Sequence, residues 1–347
     1  MFTTYFLFGL SLAIILVACE LFSNSIEWFG QRLNLGEGAV GSILAAIGTA
    51  LPETIIPILA ILFGASTQSE SIGVGAIIGS SFMLATLAMF VVGTGIFVFS
   101  LTNGRSRSID ANISVISRDL SYFLSAYGLA LLAAIIPYHI VKIVIAMGLL
   151  GIYIKYLHIT ITDCGEAGCD LKPLHFHRKS LPPRWRFILL QIAVSLAVII
   201  YGAHLFIDQV IALSNHFAIS ALVLSLLITP IATELPEKFN SLLWVRNKKD
   251  TLAMGNITGA MVFQSTILPT IGILFTPWQL NEQAIVAALM GMAASLLMLS
   301  MLKYRKKLHV LGLLISGSFY LGYIIYVLLL GKLGKGYLGR IIMSIVR

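Results

Sequence analysis

Charge is what this sequence has least of. Only 11 % of its 347 residues are Asp, Glu, Lys or Arg, where an ordinary soluble domain carries about a quarter. With 58 % hydrophobic residues and a mean hydropathy of +0.94, its natural solvent is lipid, which excludes a soluble enzyme. Cysteine is scarce as well: Cys19, Cys164 and Cys169 make no disulfide framework. There is no phosphate-binding loop, His-Glu-x-x-His or Gly-x-Ser-x-Gly pattern, so an ATP-driven pump or a membrane hydrolase lacks its chemistry. No basic leader or small-residue cleavage site accompanies the first apolar run, from about residue 5 to 18, which therefore reads as a retained helix rather than a signal peptide. The excess of 23 Lys and Arg over 15 Asp and Glu, a net charge of +8, falls mostly in loops, as expected of cytoplasmic connections in a membrane protein. It implies no nucleic-acid partner.

Ten apolar stretches of roughly 20 residues, each long enough as helix to cross about 30 Å of hydrocarbon, fall at about 4–24, 38–63, 72–101, 119–137, 140–158, 186–207, 217–243, 252–276, 283–302 and 308–331. Basic residues occupy alternate connections: Arg105, Arg107 and Arg118; Arg178, Lys179, Arg184 and Arg186; Arg246, Lys248 and Lys249; Lys303, Arg305, Lys306 and Lys307. Those loops are expected in the cytoplasm and both termini outside. The basic tail, with Lys332, Lys335, Arg340 and Arg347, runs against that orientation and suits the membrane surface.

The halves repeat. At an offset of 184 residues, Leu21 and Phe22 align with Leu205 and Phe206, and Thr49, Leu51, Pro52 and Glu53 with Thr233, Leu235, Pro236 and Glu237. After a four-residue shift, Gly75 and Gly79 align with Gly255 and Gly259. Five spans, an odd number, separate the copies, so they sit in the membrane with opposite topology. Inverted repeats are a common construction of secondary transporters, because exchanging the conformations of the halves turns an outward-open site inward.

Each copy places a glutamate well inside an apolar span, in Gly48-Thr49-Ala50-Leu51-Pro52-Glu53 and Ala232-Thr233-Glu234-Leu235-Pro236-Glu237. A carboxylate at that depth costs several kcal/mol unless a cation or proton accompanies it. Proline removes a backbone donor, so each helix is expected to kink or break just before its glutamate and turn carbonyls inward. Two carboxylates, two threonine hydroxyls and such carbonyls form an all-oxygen cage, which suits a hard cation such as Ca²⁺ better than a soft metal.

These residues resemble the two alpha repeats of the sodium/calcium exchanger superfamily of cation/Ca²⁺ antiporters: Gly-Thr-x-Leu-Pro-Glu, its inverted copy, and after each a small-residue helix with Gly-x-x-x-Gly. The resemblance covers roughly 38–90 and 217–270. It implies an all-α polytopic membrane protein with ten transmembrane helices in two inverted five-helix repeats. The divisions are 1–158, with the first motif at 41–84; a cytoplasmic linker at 159–185; 186–331, with the second motif at 221–264; and a basic tail at 332–347. It also implies that Glu53 and Glu237 bind the transported ions jointly, that Thr49 and Thr233 add oxygens, and that the first and sixth spans form a gating bundle sliding over a fixed core. The expected activity is exchange of a divalent cation, Ca²⁺ first, for Na⁺, with no resident cofactor. Proton-coupled exchange of Ca²⁺, Mn²⁺ or Mg²⁺ and, more distantly, a cation channel are the alternatives. The expected partners are Ca²⁺, Na⁺ or H⁺ and the bilayer, and the expected location is a prokaryotic inner membrane.

The departures carry information too. The superfamily's second motif runs Gly-Asn-x-x-Gly-Ser with Asn or Asp four residues on. Here it reads Gly75-Ala76-Ile77-Ile78-Gly79-Ser80 with Leu84, and Gly255-Asn256-Ile257-Thr258-Gly259-Ala260 with Gln264. Counting only Glu53 and Glu237, the site has about two negative charges, which points to exchange closer to electroneutral. The Gly-Asn-Ala-x-Glu motif of calcium/proton exchangers is not matched, which favours sodium. Glu234, one turn from Glu237, has no symmetric partner and would restore the charge missing at Gln264. Ser80 and Asn256 are further candidate oxygen ligands; Ser81, Asn240, Ser241 and Thr258 are either ligands or packing residues. Glu20 and His204 read as interface residues before gate or proton acceptor. Cys164, Cys169, His175 and His177 with nearby acids offer a metal-binding composition, although Cys-x4-Cys before His-x-His is not a tight zinc spacing.

Overall fold

A computed structural model describes residues 2–32, 51–64, 66–102, 106, 108–109, 111–163, 173–176, 183–217 and 219–333. Thr49, Cys164, Cys169, His177 and the tail beyond residue 333 lie outside these, as does the start of the second expected span. The regular structure of the described residues is helical apart from a two-residue ladder. Its elements are α1 (Phe2–Arg32), α2 (Leu51–Leu62), α3 (Thr67–Met83), a π-helical turn (Leu84–Ala88), α4 (Met89–Thr102), α5 (Ile113–Ile135), α6 (His139–Asp163), α7 (Trp185–Phe217), α8 (Ala221–Arg246), α9 (Asp250–Phe275), α10 (Glu282–Arg305) and α11 (Val310–Leu333). Among the described residues seven helical stretches are long and apolar enough to cross a membrane: those in α1, α3 through α4, α6, α7, α9, α10 and α11. In α2 and α8 the apolar run is shorter, Glu53–Leu62 and Ala221–Ile231.

Polar residues set the helix boundaries. The side chains of Ser66, Asn112, Ser220 and Asn281 accept from the backbone N–H groups of Ser69, Ser114, Val223 and Ala284 at the starts of α3, α5, α8 and α10. Each satisfies a donor that the first turn leaves without an intrahelical partner.

Contacts between connections sort the helix ends onto two sides. The strand β1 (Ser108–Ile109) pairs antiparallel with β2 (Leu308–His309), and the N–H of Asn112 donates to Thr251 Oγ1 at 3.0 Å, so the connections after α4, α8 and α10 share one side. Lys142, at the start of α6, donates through Nζ to the Pro277 carbonyl at 2.6 Å, joining the connections after α5 and α9. That alternation is the one the basic loops require.

The two larger apolar clusters among the described residues are separate. The larger draws on α3 through α6 and α8 through α11 and contains no residue of α1 or α7. The second joins Ile15, Ala18 and Cys19 of α1 to Ile199, Ala203 and Phe206 of α7, together with Ile56 and Leu59 of α2 and Leu224 of α8. At 31 and 33 residues, α1 and α7 measure about 46 and 50 Å. Both exceed the hydrocarbon thickness and must tilt or protrude.

The helices α3 and α8 cross with their backbones in close approach. A Cβ on Gly75 or Gly79 would collide with the carbonyl oxygen of Leu222 or Leu226 respectively, so both positions need glycine for the backbones to touch. Pro230 has no N–H to give to Leu226, four residues back, and it is this carbonyl that lies against Gly79.

Candidate functional site

The segments that the sequence singles out pack on one another: α2 against α3, α3 against α8, and α9 against α2, α3 and α8. Glu53, in the first turn of α2, is 3 % exposed. Pro57 lacks the N–H that would otherwise bond the Glu53 carbonyl, so carboxylate and carbonyl lie together at one helix start.

One expectation for the second copy is revised. The helix α8 runs from Ala221 to Arg246 without interruption, so Pro230 and Pro236 are accommodated and no break precedes Glu237. Proline's missing bond can be compensated by neighbouring helices and side-chain hydroxyls within a bundle. Glu237 stands on this helix, though its side chain is not among those described. The third carboxylate is: Glu234 is completely buried near the midpoint of the 26-residue α8, and its Oε1 accepts from Gln264 Nε2 at 2.9 Å. Gln264 is also completely buried, near the midpoint of α9, and its Oε1 has no hydrogen-bond partner among the described residues.

Further buried hydroxyls lie along α8 and on α3. Thr233 Oγ1 donates to the Thr229 carbonyl at 3.0 Å, which uses its one proton and leaves its lone pairs as acceptors. Ser225 donates to the Ile72 carbonyl of α3 at 2.8 Å and lies 2.9 Å from Thr229 Oγ1. Ser80 and Ser81 are buried on α3, and their hydroxyls have no hydrogen-bond partner among the described residues.

Other expected ligands are placed elsewhere. Asn256 and Gln264 are eight residues apart on α9, about 12 Å along the axis, too far to share one ion whose oxygens sit about 2.5 Å away. Asn256 instead donates to Ser241 at 3.4 Å. Thr258 donates to Asp119 Oδ2 at 2.7 Å, tying α9 to α5. Leu84 is completely buried and opens the π-helical turn, a feature frequent at functional sites; its side chain offers no ligand. Glu20 and His204 are exposed, and the His204 ring is within 2.9 Å of the Ile200 carbonyl of its own helix. Among the described residues no group of three His, Cys, Asp or Glu is arranged to hold a metal.

Sequence reasoning missed Asp119, which is 2 % exposed and paired with Arg118 at 3.2 Å. Arg118 signalled a loop, and its acidic neighbour went unread as a membrane carboxylate. It also missed the neutral cavity of about 630 Å³ at the N-terminal ends of α3 and α8, lined by Gln68, Ser71, Ser214, Asn215, Gln279 and Asn281 among others. That cavity lies about 20 Å along α8 from Glu234, at 1.5 Å per residue.

Comparison with known proteins places this arrangement. The family model "Sodium/calcium exchanger protein" matches residues 3–162 and 187–332. A relative named putative antiporter CaxA, from Alkalimonas amylolytica, is 24 % identical over 291 residues, 81 % of this chain and 83 % of that one. Inner membrane protein YrbG of Escherichia coli K12 is 24 % identical over 255 residues, 71 % of each chain. The crystal structure of the H⁺/Ca²⁺ exchanger CAX matches at a TM-score of 0.70 and 16 % identity, covering 99 % of this chain and 85 % of that one. The sodium-calcium exchanger NCX_Mj, soaked with Na⁺ and Sr²⁺, matches at 0.56 and 21 % identity, covering 93 % and 97 %. The chain belongs to the sodium/calcium exchanger family, a family of multi-pass membrane cation/Ca²⁺ antiporters, and is a transporter rather than an enzyme.

Proposed function

We propose that this protein exchanges a divalent cation, Ca²⁺ first, for Na⁺ by alternating access around Glu53 and Glu237, with Thr49, Thr233, Ser80, Gln264 and Glu234 completing the oxygen site. In this reading ten spans form two inverted halves, 1–158 and 186–331, joined by a cytoplasmic linker at 159–185 and followed by a basic tail at 332–347. The pair α1 and α7 slides over the remaining helices. The pairing of β1 with β2 supports the inverted parity, and the exclusion of α1 and α7 from the larger apolar cluster supports the sliding pair.

The observation that carries the reading is the burial of Glu53 and Glu234 on helices packed together with α9. Acidic groups at such depth are a functional signature because hydrocarbon does not solvate them. Asn256, a full ligand shell away from Gln264, is reassigned to the approach on the side of the connection after α8. Coupling to H⁺ is the second reading, favoured by the loss of a ligand side chain at Leu84 and of a carboxylate at Gln264.

The test is isotope uptake into proteoliposomes with one gradient imposed at a time. Ca²⁺ uptake driven by an outward Na⁺ gradient is the expected result. Uptake driven by a pH gradient alone would move the assignment to proton exchange, competition by Mn²⁺ or Mg²⁺ in excess of Ca²⁺ would change the cargo, and unitary conductance would make it a channel.

A further inference from the structure

The structure assigns Glu234 as the residue that replaces, from α8, the charge that α9 lacks at Gln264, and that positions the Gln264 carbonyl oxygen as a cation ligand. This inference rests on the proposed exchange site and adds a specificity-determining pair to it.

Two buried groups carry it. An ionised carboxylate only accepts hydrogen bonds, so the side-chain NH₂ of Gln264 must be the end that faces Glu234, as its 2.9 Å contact has it. The planar amide then directs Oε1 away from Glu234. That oxygen is completely buried and has no hydrogen-bond partner among the described residues. A buried carbonyl oxygen left so costs free energy, and an arriving hard cation supplies the missing partner.

The arrangement also explains the asymmetry between the repeats. At the position matching Glu234 the first repeat has Ala50, and at the position matching Gln264 it has Leu84, so amide and carboxylate are present together in the second repeat and absent together from the first. Glu and Gln are nearly isosteric, and the pair has the same composition whichever helix carries the acid. The charge count of two inferred from the sequence therefore becomes three.

The experiment is Ca²⁺ uptake by the full chain in proteoliposomes, comparing Glu234→Gln, Gln264→Glu and the double exchange Glu234→Gln with Gln264→Glu. Removing the carboxylate in Glu234→Gln raises the KM for Ca²⁺ about ten- to hundredfold and shifts the preference between Ca²⁺ and Na⁺. The double exchange returns the third negative charge from the facing helix and restores both the KM, to within about threefold of the native protein, and the preference between Ca²⁺ and Na⁺; a purely structural pair would alter melting and leave that preference unmoved in Glu234→Gln. An unchanged KM in Glu234→Gln, or a folded double exchange no better than it, overturns the inference. Should Glu234→Gln not be recovered folded, the double exchange decides alone, by its KM. Normal transport by Glu53→Gln would instead overturn the underlying site, a result that the Glu234 variants do not mimic.

Discussion

Glu234 and Gln264 meet at the midpoints of two helices that leave a three-residue connection in opposite directions, with 2.9 Å between Oε1 and Nε2. Thirty residues of chain separate them, and the pairing follows from geometry: consecutive helices of similar length that form a hairpin bring their centres to the same depth. The centre of a hairpin in lipid is the most costly place for a carboxylate, and there the chain places one with an amide as its neighbour.

Replacing Glu53 or Glu237 by Gln keeps volume and removes charge. Each variant should lower Ca²⁺ uptake about a hundredfold or more while eluting from size exclusion as the native protein does. Normal uptake by Glu53→Gln would show that the ions bind elsewhere.

The α3–α8 crossing predicts a sharp steric requirement. Gly79→Ala should lower stability by about 1–3 kcal/mol, read as an earlier melting transition in detergent, because the new methyl meets the backbone of Leu226 rather than a side chain that could swing aside. Gly9→Ala, with nothing within 4 Å of its Cβ, should melt as the native protein does. Equal behaviour of the two variants would refute the close crossing.

A buried amide pair straps the connection before α7 onto the α1–α7 pair. Gln191 donates to the Leu21 carbonyl at 2.7 Å and to Asn24 Oδ1 at 3.1 Å, and accepts from the N–H of Phe176 at 2.9 Å. Asn24 accepts from the N–H of His175 at 3.2 Å, while Arg32 holds the Pro183 carbonyl at 2.8 Å. Asn24→Leu and Gln191→Leu should each cost about 1–3 kcal/mol by leaving polar partners unsatisfied. The double variant should cost less than the sum. Protease should cut the connection faster in either; unchanged cleavage would remove the strap from the account.

Thr258→Val deletes the 2.7 Å bond to Asp119 and should destabilise the protein by about 1–3 kcal/mol. Since Thr258 faces α5 rather than Gln264, the KM for Ca²⁺ should stay within about twofold of the native value. A large change in KM with unaltered melting would return Thr258 to the ion site.

The helices were largely legible because a membrane span announces itself by unbroken apolarity, and most observed boundaries fall within a turn or two of those read from the sequence. The departures have physical causes. The helix α7 continues to Phe217, about ten residues beyond its expected end, since Asp208 and His216 look like a loop when counted for charge but sit on a helix that outgrows the hydrocarbon. The expected break before Glu237 fails because a helix packed among others tolerates proline. Glu53 and Glu234 were legible as isolated carboxylates in apolar surroundings, and Gln264 through its place in the second motif. The bond between the last two was not, and Asp119 was hidden by the arginine beside it.

By itself the sequence determined the solvent and the places where acidic residues interrupt apolar stretches, both of which depend on order along the chain and on the cost of polarity in hydrocarbon. Only the tertiary structure decided the partners: Gln264 for Glu234, Asp119 for Thr258, and the carbonyls of Leu222 and Leu226 for Gly75 and Gly79. The reason is that a span apolar on every side carries no stripe marking its inner face, and lipid supplies no hydrophobic drive to sort one helix against another. Close backbone approach and a few buried hydrogen bonds make that choice, and they exist only once the helices have met.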